Sequence, residues 1–308
     1  MRGPQGRSTD RMTECRTPIR HILGDRRQRA GSETGTSIKA AMLCATDNEI
    51  RTDQPPTASA VARQRMLATR GEPVLLADWE RVLMIHFEVN ADALQHVVPF
   101  PLDLRDGRAF VSVVAFTMRR MRPRIGGWLG AWLFKPLAAH EFLNVRTYVR
   151  HNGETGIHFL AEWLPNRLSV LLGPRTFALP YRLGRLRYEH HHETGEVRGD
   201  VVDVRSNTAF HYLARVPESA CFGPCPAGSL DEWLMERYAA FNAVGTRRRC
   251  FHVWHQPWPQ VSVTTTIHEN SLLTAAWPFF REARLVGANY SPGVREVWMG
   301  RLRKISGL

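Results

Sequence analysis

From Trp79 to Leu302 the chain is a succession of segments rich in β-branched and aromatic residues, cut apart by turn residues, and this pattern restricts it to a sheet-dominated fold. Residues 81–89 and 109–121 carry strand patterning. Between them Asp92 is placed to cap a short helix over 93–97, stopped by Pro99. Residues 144–150 and 156–163 read as a hairpin about His151-Asn152-Gly153-Glu154, because Asn-Gly supplies the positive φ of a tight turn. Residues 183–192 and 196–205 pair in the same way across Glu193-Thr194-Gly195. Further strands are expected at 208–216, 250–254, 261–268 and 294–302. Helices are expected at 166–172 and 230–241, the latter with Asp231 and Glu232 in its first turn, where the helix dipole favours them. Many antiparallel segments with few short helices predict an α+β, β-rich domain.

Residues 1–65 are different in kind. They hold no aromatic residue and no apolar periodicity beyond a short patch at 38–43, so they cannot bury enough to offset their ordering entropy. The expectation is a non-structural extension over 1–65, disordered or lying upstream of the true start, and one folded domain over 66–308. The 41 basic against 29 acidic residues leave a surplus of +12, almost wholly arginine, since the lysines are Lys39, Lys135 and Lys304. Such a surplus attracts anions, and arginine suits two-pronged contacts to carboxylate or phosphate. The charges are mixed rather than blocked. Arg247-Arg248-Arg249 beside Phe251 and Trp254 is the one place where basic and aromatic residues interleave, so nucleic acid is not an expected partner. Five cysteines, an odd number with two in the first 65 residues, are no disulfide framework. There is no signal-peptide pattern, and the longest apolar stretch, 128–139, is interrupted by Lys135 and Pro136 and too short for a bilayer. These features predict a soluble cytoplasmic protein without a membrane partner.

Several runs together resemble one family. They begin with Ile85-His86-Phe87, Asp106-Gly107-Arg108-Ala109-Phe110-Val111-Ser112-Val113-Val114-Ala115-Phe116 and Glu141-Phe142-Leu143-Asn144-Val145-Arg146-Thr147-Tyr148-Val149. Gly156-Ile157-His158-Phe159, Phe177-Ala178-Leu179-Pro180-Tyr181, Glu236-Arg237-Tyr238, His255-Gln256-Pro257-Trp258-Pro259 and Tyr290-Ser291-Pro292-Gly293-Val294 follow. In this order the chain resembles the family of domain of unknown function 2071 (YqjF-like), a branch of the acetoacetate-decarboxylase-like superfamily. The resemblance implies a curved, closed antiparallel sheet, an acetoacetate-decarboxylase-like barrel, around a central ligand cavity. It implies no known reaction, because the family is largely uncharacterised.

In a strand Asn144, Arg146 and Tyr148 share one face, which sets an amide, a guanidinium and a phenol inside a β-rich core. A buried arginine needs a partner, either a structural carboxylate, with Glu141 the natural one, or the carboxylate of a ligand. The superfamily carries a Schiff-base lysine a few residues after a glutamate in the comparable strand. Here Arg146 stands in that region, and a guanidinium cannot form an imine. The expected function is therefore binding or transformation of a small organic acid or keto or enol compound without lysine chemistry. Arg146, Asn144, Tyr148, Arg175 and Tyr290 are the candidate ligand contacts. Glu141 and His86 are the candidate proton carriers of a lyase-, hydratase- or isomerase-like step. The rival reading is a non-catalytic ligand-binding or structural protein. No cofactor is expected. No metal site is expected either, because His190-His191-His192 cannot all face one ion and Cys221, Cys225, Cys250, His252 and His255 lack the compact spacing of zinc modules. A homo-oligomer is compatible with the reading.

Overall fold

The strand-like segments pair into one 13-stranded sheet, in a computed structural model that describes residues 56–306 apart from Thr246. In chain order the strands are β1 (Leu75–Val89), β2 (Ala109–Pro123), β3 (His140–His151), β4 (Glu154–Leu164), β5 (Tyr181–His191), β6 (Glu196–Asp203) and β7 (Ala209–Arg215). They continue with β8 (Ala239–Val244), β9 (Arg247–Trp254), β10 (Val261–Ser262), β11 (Thr264–Glu269), β12 (Arg284–Met299) and β13 (Arg303–Lys304). The α-helices are α1 (Ala58–Ala68), α2 (Ala91–Val97), α3 (Gly127–Phe134), α4 (Arg167–Thr176), α5 (Leu230–Met235) and α6 (Ser271–Ala276).

Neighbouring pairs run β8–β4–β3–β2–β1–β12–β9, and β9 returns to β8, so these strands form a ring. Strands β5, β6, β7 and β11 continue the sheet beyond β4. Two contacts in this mostly antiparallel sheet, β4–β5 and β4–β8, are parallel. Strands β1 to β3 contribute to two separate cores. One contains Ile85, Val113, Val145 and Trp163 with Val201 and Phe210 from the extension. The other contains Met84, Val114, Phe142, Tyr148, Phe251 and Trp258. Burial on both faces explains why residues 109–118 are buried without a break. No described helix is long and apolar enough to cross a membrane.

The hairpin turn forms as its sequence dictates, with Asn152 at φ 49° and Gly153 at φ 80°. Elsewhere local and tertiary preferences part. Helix α2 is capped by Asn90, whose side chain accepts from the Ala93 N–H at 2.9 Å, and Asp92 falls in its first turn. The helix expected over 230–241 ends at Met235. Residues 239–244 become β8 instead, because pairing with β9 satisfies their backbone across the ring. The segment 290–294, mostly ahead of the strand expected at 294–302, lies inside β12, with Tyr290 opposite Leu83 and Gly293 opposite Glu80.

The described chain also starts earlier than residue 66. Thr57 caps α1, and the Ser59 hydroxyl donates to the His255 carbonyl at 2.8 Å and accepts from the Trp254 indole at 3.2 Å. The Arg63 guanidinium lies 5.6 Å from the Trp254 ring. The remainder of the 1–65 extension, residues 1–55, lies outside the described residues.

Gly293 shows how tightly β12 meets β1. Its φ is +122°, and a Cβ there would sit 2.1 Å from the Trp79 carbonyl oxygen. Gly107 also has positive φ, at +75°, but faces open space. Gly293→Ala is therefore expected to lower the melting temperature well below that of Gly107→Ala, since it adds a backbone clash to a conformational cost of about 1–3 kcal/mol. Equal melting of the two variants would refute this account of the β1–β12 contact.

Candidate functional site

A cavity of ≈ 100 Å³ opens inside the ring. Most of its wall is apolar, with Trp79, Met84, Phe116, Phe142 and Trp258 among the lining residues. Its polar lining side chains are Asn144, Arg146, Glu162, Tyr181, Arg237 and His255. Strand alternation accounts for the first two. Arg146 stands in a row across four strands, opposite Ser112 on β2, with Ser112 opposite His86 on β1 and Arg146 opposite Phe159 on β4. Asn144 is opposite Glu162.

Glu162 owes its position to a bulge. Counted from the Asn152-Gly153 turn, a regular hairpin would put Glu162 opposite Leu143, on the other face. Pairing instead shifts between Val145 and Arg146, where Leu160 is the extra residue of β4, and Glu162 is turned onto the cavity face.

Arg146 is 7% exposed, yet it makes no ion pair among the described residues. Its Nη2 makes only long contacts, 3.5 Å to Met84 Sδ and 3.5 Å to the Leu234 carbonyl, the Tyr148 hydroxyl is a further neutral hydrogen-bonding neighbour, and its Nε has no partner. Burial lowers its pKa from the ordinary value, while Tyr148, Glu162 and Glu236 pull it back up. Arg237 differs, because its Nη1 donates to Asp103 Oδ2 at 2.8 Å and it packs 4.1 Å from the Trp233 ring centre. Burial pushes the Glu162 carboxyl up to about 8, against the opposing pull of Arg146, so it holds its proton at neutral pH. Burial also takes His255 down to about 4, assisted by the charge of Arg146. His255 Nδ1 lies 2.7 Å from the Gln256 carbonyl, which can only accept, so Nδ1 carries the proton and Nε2 is the basic nitrogen. Five polar atoms of lining residues lack any hydrogen-bond partner: Asn144 Oδ1, Arg146 Nε, Glu162 Oε1, Arg237 Nη2 and Trp258 Nε1.

The expected residues divide accordingly. Asn144 and Arg146 line the cavity. Tyr148 is buried beside it, its hydroxyl 2.5 Å from Ser112 Oγ and 2.9 Å from the Leu234 carbonyl, two acceptors that share its one proton. His86 lies behind the lining. Asn289 Nδ2 donates to Gln260 at 2.7 Å and Asp231 at 3.1 Å, which leaves its Oδ1 to accept from His86 Nε2 at 3.1 Å. His86 Nδ1 then accepts from the Ser112 hydroxyl at 2.7 Å. With both nitrogens occupied and its pKa driven to about 3 by burial and then by Arg146, His86 orients Ser112 and Tyr148 rather than carrying protons.

Glu141 does not orient Arg146. The two are an odd number of positions apart in a regular strand and lie on opposite faces, with Glu141 paired to Thr117. Tyr290 belongs to the core on the other side of β1, and its hydroxyl meets His192 Nδ1 at 3.2 Å. The side chain of Arg175 lies outside the described residues. Sequence reasoning missed Glu162, Arg237 and His255 as site residues. The isolated carboxylate within Leu160-Ala161-Glu162-Trp163-Leu164 was the available signal for the first. Among the described residues no lysine lines the cavity; Lys135 is exposed in the 3-10 turn Lys135–Leu137 and Lys304 in β13. Among the described residues, no three His, Cys, Asp or Glu side chains are grouped to hold a metal ion.

Solved structures of similar fold include an acetoacetate decarboxylase-like enzyme from Sphingomonas wittichii RW1, with a TM-score of 0.53 and 15% identity over 77% of this chain and 95% of that one. The acetoacetate decarboxylase of Legionella pneumophila matches with a TM-score of 0.53 and 12% identity over 84% and 94%. The enduracididine biosynthesis enzyme MppR, in complex with pyruvate, matches with a TM-score of 0.51 and 14% identity over 78% and 93%. At these identities the likeness establishes an acetoacetate-decarboxylase-like fold and nothing finer. A curated relative, the uncharacterized protein YqjF of Bacillus subtilis (strain 168), is 32% identical over 211 residues, covering 66% of this chain and 81% of YqjF. The model of DUF2071, an uncharacterized conserved protein family, matches residues 76–295, so the chain belongs to the DUF2071 family.

Proposed function

We propose that the cavity binds a small organic acid or the enol form of a keto acid, with its carboxylate on Arg146. The observation that carries this reading is a buried guanidinium on the wall of an apolar cavity with no ion-paired partner among the described residues. Such a charge is costly unless an anion joins it. Protonated Glu162 and the Asn144 amide add hydrogen bonds to the same ligand. Protonated Glu162 and neutral His255 form an acid and a base held apart in pKa by their surroundings, the arrangement needed to move a proton on and off a carbon next to a carbonyl. The pyruvate complex of the fold neighbour MppR is consistent with a keto-acid ligand of this size. With no lysine among the described residues of the wall, the proposed step is proton transfer rather than imine formation.

The test is thermal stabilisation by a panel of acetate, pyruvate, acetoacetate and similar acids, followed by exchange of their α-protons in D₂O. A ligand at a hundred times its Kd should stabilise by about 3 kcal/mol. Binding should be strongest below pH 8, where Glu162 is neutral. It should weaken by up to tenfold per unit above, as the new carboxylate competes for Arg146. Glu162→Gln should remove that alkaline edge and abolish exchange. No stabilisation by any acid would defeat the binding reading. Binding without exchange would reduce it to a carrier.

A further inference from the structure

We infer that the Arg146 site is the inner end of a two-chamber pocket built for a monocarboxylic acid with an extended apolar tail. This rests on the anion-binding reading above and adds the substrate class. A second cavity of ≈ 630 Å³ lies against the first. Met118, Phe142, Leu179, Tyr181, Phe251 and Met299 line both. These six side chains form a collar between the chambers, and five of them are wholly apolar. The outer chamber is walled by α4 and by the end of α3, through Phe134, Leu137, Leu172 and Phe177, with Leu75 and Leu302 opposite. Its cationic groups, Arg249 and Arg301, stand in partly or fully exposed positions, and the buried ring of His140, neither nitrogen of which has a hydrogen-bond partner, is a further polar group deep in its wall.

The polarity is therefore ordered along the pocket. A buried cation lines the smaller chamber, a largely apolar collar follows, and a larger, mostly apolar chamber lies beyond. The inner space suits a carboxylate and a few carbons, and a ligand confined to it would leave the outer wall unused. A straight-chain or aryl-substituted acid matches both parts at once. Its carboxylate meets Arg146 and its tail passes the collar. The reverse orientation would place a neutral methyl end against the buried guanidinium and leave that charge unpaired, which disfavours it.

The experiment is a binding series of straight-chain acids from acetate to decanoate, measured calorimetrically on the whole chain. Affinity should rise about fourfold per methylene, the value for apolar surface leaving water, until the tail fills the outer chamber. Leu172→Glu places a charge on the chamber wall at a position already 38% exposed, where the fold tolerates it. It should cost decanoate at least tenfold and leave acetate unchanged. Leu179→Trp, which narrows the collar, should cost decanoate more than acetate.

Acetate binding with no gain along the series would overturn the two-chamber inference while leaving the anion site intact. It would assign the outer space to another occupant, such as a second copy of the chain. A chain-length gain that persists undiminished in Arg146→Met would overturn the head-inward orientation. Failure of every acid, short or long, would instead remove the anion-binding reading on which this inference stands.

Discussion

Lowering the pH from 7 to 5 is expected to remove most of this protein's folding free energy. His86, His140, His158, His190 and His255 are buried. Burial is the first cause of a lowered pKa in each, to about 3 for His86 and about 4 for His140, His190 and His255. His190 illustrates the reason. Its Nδ1 donates to the Arg81 carbonyl at 2.7 Å and its Nε2 accepts from the Tyr212 hydroxyl at 2.8 Å, so a second ring proton would have no acceptor. In the unfolded chain these rings titrate near 6.5. Between pH 6.5 and about 4 the unfolded state therefore binds more protons than the folded one. Stability is fully present above 6.5 and is lost as the pH falls.

Glu162, raised to about 8, acts in the opposite sense, because the folded state already holds its proton, and the upward shift that burial gives Glu236 works in the same direction. A net difference of two to three protons remains, equivalent to roughly 3–4 kcal/mol per pH unit. By pH 5 the loss is on the order of 5 kcal/mol, comparable with the whole stability of many domains. Urea unfolding at pH 7, 6 and 5 measures this directly, as a falling midpoint at constant slope. His190→Gln should reduce the pH dependence by about one proton, whatever it does to absolute stability. A midpoint that does not move between pH 7 and 5 would show that these histidines are protonated in the native state.

Those histidines also mark the limit of what the sequence discloses. Strand identity was legible because β-branched and aromatic runs bounded by turn residues mark strands, whose side chains alternate faces, and the β3–β4 hairpin followed from Asn152-Gly153 alone. The cavity face of β3 was legible for the same reason, since Asn144 and Arg146 must share a side. The same parity rule places Glu141 on the opposite side, so its assignment to Arg146 contradicted information already present. Glu162 was another matter. Its face depends on one bulge at Leu160, and regular counting from the turn gives the wrong answer. His255 and Arg237 reach the cavity from β9's end and from the segment after α5, through pairings that no local pattern specifies. Residues 230–241 show the principle at larger scale. Their helix signals are genuine, but β8 exists because β9 and β4 supply partners from elsewhere in the chain.

Arg146→Met is expected to leave the ligand-free fold at or slightly above wild-type stability while abolishing acid binding. The variant is chosen because methionine fills comparable space, which avoids the cavity an alanine would leave. If Arg146 were half of a structural ion pair, its removal would strand a buried carboxylate at a cost of about 3–5 kcal/mol. Among the described residues Arg146 is in no such ion pair. Glu141 lies on the other face of β3, and Glu162, across the strand pair, already retains its proton at neutral pH. Removing the guanidinium thus relieves a desolvated charge and leaves a neutral acid behind, a change that is often neutral or stabilising. Binding should respond in the opposite way. Loss of a buried, charge-assisted contact costs about 2–5 kcal/mol, so a millimolar short acid would no longer bind measurably. Arg146→Lys keeps the charge without the planar fork and should lose about 1–3 kcal/mol, retaining weak binding. Glu162 supplies an independent readout, because in Arg146→Met it loses the cation that holds its pKa down. Its titration should then move above 8, visible as a shifted carboxyl signal in labelled protein even with no ligand present. A large loss of melting temperature in Arg146→Met, with Glu162 still titrating near 8, would show that the guanidinium serves the fold and not a ligand.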